Sequence, residues 1–216
     1  MEINIENLAR SFNGNSVLNN INWKIERGFS HLVTGPNGSG KSTLLKMLAG
    51  ILRPTAGSIQ ISKNGKIIDP AKARTSIGLV SSEVNLYERL TALENLAFFA
   101  ALRGLKKREK DIRLLLERFQ IDGVCHQPTA VFSTGMKQRL KLAFALLHEP
   151  EILLLDEPSS NLDEGGKALV DDLVQAQLQK GIVVIATNDL REVEKYGERI
   201  LRLAAPPVGS CSQGST

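Results

Sequence analysis

Cysteine is scarce. Cys125 and Cys211 are the only two in 216 residues, far apart and in no C-x-x-C or Cys/His cluster. That excludes a disulfide scaffold, gives no sign of a zinc or dithiol redox site, and fits a reducing cytoplasm. No uninterrupted apolar run approaches the roughly 18 residues that cross a bilayer, so any work at a membrane would go through a partner. The opening MEINIENLAR carries charges where a secretory signal would be apolar, so no leader is expected there. Neither sign of charge dominates: 27 Lys and Arg stand against 23 Asp and Glu, for a formal net charge of +4, and aromatic residues are only 5%. Scattered cations without an aromatic-interleaved stripe read as a solvated surface, so no nucleic-acid partner is expected. There are no internal repeats.

The chain is long enough for one large domain, or for a core with an inserted lobe, and the fold class expected is α/β. EINIEN and VLNNINWKI alternate as strands do, and HLVTG is a short buried strand feeding the glycine loop GPNGSGKST at Gly35–Thr43. A helix is expected from about Lys41 to Ala49, stopped by Gly50 and Pro54. GSIQIS and KII flank the hairpin signal KNG, and SIGLV is a further strand. TALENLAFFAALRG opens on a capping box of Thr91 and Glu94. From Thr91 to about His148 the pattern is mostly helical, through EKDIRLLLERF and MKQRLKLAFALLH, with the loop IDGVCHQPTAVF between them. This stretch, roughly residues 85–150, reads as a helical lobe inserted in an α/β core. The core resumes with the strand EILLLDEP, a helix after Asp163, the strand GIVVIAT and a closing strand ERILRL. Residues 204–216 lack apolar residues to pack and are expected to form a disordered tail after a domain of residues 1–203.

Three segments carry chemistry. In the glycine loop, Gly35, Gly38 and Gly40 permit tight turns, so backbone N–H groups can surround an anion at a helix N-terminus. Lys41 can reach β- and γ-phosphates and the Ser42 hydroxyl can sit on Mg²⁺. The plainer reading, a glycine turn, is weakened by the strand before it and the helix after it. In ILLLDE a buried strand ends on Asp156 and Glu157, at the edge where parallel sheets bind ligands. Asp156 would hold Mg²⁺ through water and Glu157 would orient and deprotonate an attacking water, the alternative being an acidic strand end capped by nearby donors. In FSTGMKQRL, Ser133 and Gly135 open an amphipathic helix whose positive end can face a second phosphate. Taken alone, that start is an ordinary N-cap.

The order of these three, with LLLDEPSSNLD following the third, resembles the ATP-binding subunit of ABC transporters over residues 1–203. The resemblance implies a P-loop NTPase core of ABC-ATPase type with an N-terminal antiparallel β region and an inserted helical subdomain. It implies ATP and Mg²⁺ as ligands, with Gly35, Pro36, Asn37, Gly38, Ser39, Gly40, Lys41, Ser42 and Thr43 around the phosphates. Phe12 matches the aromatic residue that stacks on adenine, otherwise a strand-end core residue, and Val17 matches an apolar contact to the nucleoside. Ser133, Thr134, Gly135 and Met136 stand where the family has its Ser-Gly-Gly-Gln signature, which closes over ATP held by a second subunit; Thr134 and Met136 depart from it. Asp163, ending SSNLD, matches a segment coupling the two nucleotide sites. Ser82 stands where the family has a glutamine on Mg²⁺, so its metal contact is weak, and Asn188 stands where the family has a histidine. At that catalytic position Asn188 can donate a hydrogen bond to the γ-phosphate, but it cannot carry a proton or a positive charge.

The same resemblance implies a head-to-tail dimer, homo- or heteromeric, on separate membrane-spanning subunits at the cytoplasmic face of the cell membrane. The helical lobe would grip those subunits. Within the family, the short length, the lack of a C-terminal regulatory region and the ALLHEPEILLLDEPSSNLDE segment look most like small exporters of the haem-export and cytochrome c maturation type. Two other classes compete. One is a soluble ABC-type ATPase acting on DNA or ribosomes, although no sustained heptads separate the glycine loop from Ser133. The other is an adaptor that binds ATP and hydrolyses it weakly, for which Ser82 and Asn188 are the motive.

Overall fold

A computed structural model describes residues 1–204; apart from Ala204, the expected tail lies outside the described residues. Two sheets form. The first is antiparallel in the order β2-β1-β4-β5, made of β1 (Glu2–Phe12), β2 (Asn15–Glu26), β4 (Ala56–Lys63) and β5 (Lys66–Ile67). In β1, Ile3 and Ile5 are fully buried while Glu6 is exposed, the alternation that a one-sided sheet demands. The expected hairpin is present: Asn64 and Gly65, both at positive φ, make the two-residue turn between β4 and β5.

The second sheet is parallel, in the order β6-β7-β8-β3-β9: β3 (Ser30–Thr34), β6 (Ile77–Val80), β7 (Ile152–Asp156), β8 (Ile182–Thr187) and β9 (Arg199–Arg202). Its central strands are covered on both faces, which is why ILLL and IVVIA are apolar without alternation. Leu154 and Val184 pack with the antiparallel sheet and with α1 (Lys41–Leu48), in one core with Ile5, Leu44 and Leu45. Leu155 and Ile185 turn the other way, into a second core with Leu96, Leu116, Phe119 and Leu140. Truncating a residue such as Leu154 to alanine would cost about 2–5 kcal/mol through lost burial and the cavity left behind.

Between β6 and β7 lie α3 (Ala92–Leu102), α4 (Glu109–Arg118) and α5 (Thr134–Leu146), with short 3-10 turns at Asp122–Val124 and Thr129–Val131 inside the expected loop. The capping box is formed: Thr91 Oγ1 accepts from Glu94 N at 3.1 Å, and Thr91 N donates to Glu94 Oε2 at 2.8 Å. After β7 come α6 (Glu164–Lys180) and α7 (Leu190–Tyr196). Two helices were not expected from the sequence. They are α2 (Pro70–Thr75), capped by Asp69 with a proline in its first turn, and α7, capped by Asp189. Both have fewer than eight residues, too few for a 3.6-residue period to register.

Candidate functional site

The parallel register gathers the chemistry-bearing strand ends at one edge. Thr34 of β3 pairs with Thr187 of β8, and Asp156 of β7 pairs with Ala186, so the glycine loop, Glu157 and Asn188 all leave the sheet at the same level. Two glycines explain the loop's path. A Cβ on Gly35 would lie 2.5 Å from the Leu203 carbonyl oxygen. Gly40, the residue that starts α1, has φ 96° and packs so closely that a Cβ would sit 2.8 Å from Leu18. No side chain caps α1, so its first N–H groups meet no side-chain acceptor. Lys41 is 6% exposed, and its Nζ donates to the carbonyls of Gly35 at 2.8 Å and Pro36 at 3.2 Å.

Asp156 is 8% exposed at the end of β7. Burial pushes its carboxyl up from the ordinary value, against the Ser42 hydroxyl and the Lys41 and Lys46 ammonium groups, which pull it down. A buried carboxylate beside a hydroxyl and a cradle of N–H groups suits a hard cation shared with a phosphate. Among the described residues there is no group of three or more His, Cys, Asp or Glu that could hold a metal ion. The next residue, Glu157, is half-buried and has φ 47°, a left-handed conformation costly for a side-chain-bearing residue; its N–H donates to Ala186 O at 2.8 Å. Its carboxylate can accept a proton from a water in the cleft.

That cleft, of about 920 Å³, brings together Asn37, Gly38, Gly40, Lys41, Ser42 and Thr43 of the loop with Asp156, Glu157, Val17 and Ser82. Thr134 lines it as well. The other expected residues stand outside its lining. Gly35, Pro36 and Ser39 form the base and rim of the loop, and Ser39 N donates to Pro36 O at 3.1 Å. Asn188 touches the loop through Nδ2, which donates to Asn37 Oδ1 at 2.9 Å. Phe12, 41% exposed, carries the Arg10 guanidinium over its ring at 4.3 Å from the centroid.

The second helix start is the N-cap that its sequence reads as when taken alone. Ser133 is exposed, but its Oγ accepts from Met136 N at 3.2 Å, so the hydroxyl caps its own helix and keeps only its proton for another group. A Cβ on Gly135 would be 3.0 Å from Asn161 O. Asp163 caps α6 by accepting from Gly166 N at 2.9 Å and also takes Arg139 of α5 at 2.8 Å. Those bonds, the Gly166 N–H first, hold its carboxyl below the ordinary value.

Sequence reasoning missed one wall of the cleft. Lys137, Gln138 and Lys141 of α5 line it beside Thr134; their spacing of three and four residues puts them on one helix face, but nothing in the sequence says that this face meets a cleft. Gln138 is buried and donates to Pro158 O at 3.0 Å. Lys137 pairs with Glu88 at 2.9 Å, across the mouth between α5 and the segment after β6.

A family profile described as ABC transporter matches residues 18–160. The daunorubicin resistance ATP-binding protein DrrA3 of Streptomyces coeruleorubidus is 35% identical over 201 residues, covering 92% of this chain and 64% of its own length. This chain therefore spans somewhat less than two thirds of that relative. The lantibiotic transport ATP-binding protein SrtF of Streptococcus pyogenes is 34% identical over 199 residues, covering 92% of this chain and 85% of its own. Among solved structures, a dimeric post-hydrolysis state of the ATP-binding cassette MJ0796, bound to ADP and Pi, superposes with a TM-score of 0.82 at 28% identity, over 93% of this chain and 94% of that one.

Proposed function

We infer, of a chain that belongs to the ABC transporter family as an ATP-binding subunit, that it binds ATP with Mg²⁺, hydrolyses it, and thereby drives a membrane-spanning partner. The observation that carries this reading is the convergence of the glycine loop, Asp156 and Glu157 on one cleft. The loop N–H groups and Lys41 hold the phosphates, while Val17, with Phe12 beyond the cleft lining, faces the nucleoside. Ser42 and Asp156 would hold Mg²⁺, which would neutralise charge on the phosphate oxygens. Glu157 orients a water in line with the terminal phosphate and takes its proton. Asn188, already bonded to Asn37, donates a neutral hydrogen bond that keeps the loop and the strand end in register. Ser82 gives the metal at most a weak contact, since its side chain is short.

A second ATP-binding subunit, identical or not, presents Ser133–Met136 to this nucleotide, and Asp163 couples the two sites through its bond to Arg139. Ser133 of that second subunit meets the γ-phosphate only on closure, through the hydroxyl proton that its cap to Met136 N leaves unused, and hydrolysis removes the contact. The partner in the membrane docks on the helical lobe, where Tyr87, Phe98 and Leu102 are exposed and Tyr87 and Phe98 stack edge to face at 5.1 Å. No described helix is long and apolar enough to cross a membrane, in keeping with a role at its cytoplasmic face. The drug-resistance and lantibiotic-transport names of the relatives favour an exporter; the haem-export resemblance rests on sequence.

The test is phosphate release at saturating MgATP by the chain with its membrane partner, with Lys41→Ala as the blank. Release well above the blank is expected. If the unmodified chain does not exceed it, the adaptor reading, which the neutral Asn188 favours, replaces this one.

A further inference from the structure

Lys141 lies on the cleft wall that comes from α5, yet the reading above gives it nothing to do. Its Nζ donates to the backbone carbonyl of Ser82 at 2.9 Å. Ser82 sits just past the end of β6, where Val80 pairs with Leu155 of β7. Two residues beyond that pair come Ser82 and Glu157, so Lys141 holds the segment that follows β6, on the wall of the same cleft that Glu157 lines. The neighbouring cation on the same helix face is spent: Lys137 pairs with Glu88. Lys141 appears in no ion pair among the described residues, and its only hydrogen bond there is the one to Ser82.

We propose that Lys141 is a further phosphate-contacting residue, reaching from α5 to the terminal phosphate of the nucleotide held by its own chain. The inference rests on the ATP-binding reading of the cleft. An ammonium on the cleft wall with a backbone carbonyl as its one partner among the described residues gains from an anion brought into the cleft. Ser82 has too short a side chain to reach across the cleft, whereas lysine's four-carbon stem carries a compact charge that can leave a carbonyl for a phosphate. The contact is specific for the triphosphate. ADP keeps its bonds to the glycine loop and Lys41, but offers nothing at the end of β6. Lys141 is thus a device for telling ATP from ADP inside one chain, separate from the closure that Ser133 performs on a second.

Equilibrium binding of fluorescent ATP and ADP analogues by the purified single chain, with Mg²⁺, tests this at dilutions where it is monomeric. The unmodified chain is expected to prefer ATP. Lys141→Met should lower ATP affinity by about tenfold to a hundredfold, the range for a hydrogen bond to a charged group, with ADP affinity within about twofold of the unmodified chain's. Lys141→Arg, which keeps charge and reach, should restore the preference at least in part. A Lys141→Met chain with an unchanged ATP-to-ADP ratio overturns the proposal, and so does equal loss of both nucleotides, which assigns Lys141 to the structure of the lobe. Absence of either nucleotide from the unmodified chain sinks the ATP reading itself, an outcome distinct from these two.

Discussion

Two helix starts are proposed to meet phosphate in this molecule, and they begin in opposite ways. α1 starts on Gly40 in a left-handed conformation with no side-chain cap, so its N-terminal donors stay free for an anion. α5 starts on Ser133, whose hydroxyl already satisfies Met136 N. The first is a site prepared in the isolated chain at the cost of an uncapped helix. The second is stable by itself and gives up little by waiting, since a hydroxyl that accepts from the backbone still has a proton to donate. A permanent nucleotide seat and a conditional one differ by a single capping residue.

Stopping hydrolysis sharpens that contrast most. Glu157→Gln should lower phosphate release by ~10²–10⁴-fold, the usual contribution of a general base. Asn188→Ala, which removes one neutral hydrogen bond, should cost about tenfold or less. With ATP trapped, the conditional start engages, and the Glu157→Gln chain should move from monomer toward dimer on sizing chromatography with MgATP. A variant that stays monomeric at high concentration with ATP bound breaks the comparison, because α5 then has no second nucleotide to meet.

The permanent seat is probed by Lys41→Ala, expected to weaken a fluorescent ATP analogue by about a hundredfold. Ser133→Arg should leave that affinity nearly intact while blocking the dimer by bulk and charge. Equal losses in both would place Ser133 in the same-chain site. A smaller effect separates cap from ligand: Ser133→Ala removes the Met136 bond and should cost about 1 kcal/mol, or about 2–4 °C in thermal midpoint for a chain of this size.

Asp156 gives the smallest signal. Its folded-state value lies above the unfolded one because burial disfavours the charge. Ionising it therefore costs stability: the cost is absent below the ordinary carboxylate value and complete above the raised one, so the nucleotide-free chain weakens as pH rises through that window. Asp156→Asn should flatten this dependence and raise the thermal midpoint near neutral pH by no more than about 3 °C, while abolishing the effect of Mg²⁺ on nucleotide affinity. An unchanged pH profile in melts of the nucleotide-free variant would mean the carboxylate is not under that strain.

The permanent seat was legible in sequence because its chemistry is local. Gly35 through Thr43 are consecutive, and the apolar ILLL that delivers Asp156 and Glu157 needs only one strand to be recognised. The cleft wall of α5 was not legible. Lys137 and Lys141 look like solvated charges until the fold turns that face toward the cleft and the segment after β6, a fact of tertiary packing rather than of period. Ser133 reads in sequence as a cap that can also face phosphate, since sequence gives the residue type of a cap but not whether its hydroxyl is in use. Phe12 matched by position, yet the structure holds Arg10 over its ring, a neighbour two residues away on the same strand face that pattern reading passed over. The short helices α2 and α7 escaped a periodicity that needs more turns, although their Asp caps were in plain view.

Glu157 carries one more consequence. At φ 47° glycine or asparagine would rest more easily than glutamate, so the backbone and the proposed chemistry ask for different residues at one position. A randomised library at position 157 selected only for folded, protease-resistant chains should drift toward Gly and Asn. The same library selected for turnover should return Glu. The divergence between those two pools would read, at a single codon, how much stability the chain forgoes to keep a carboxylate where water meets phosphate.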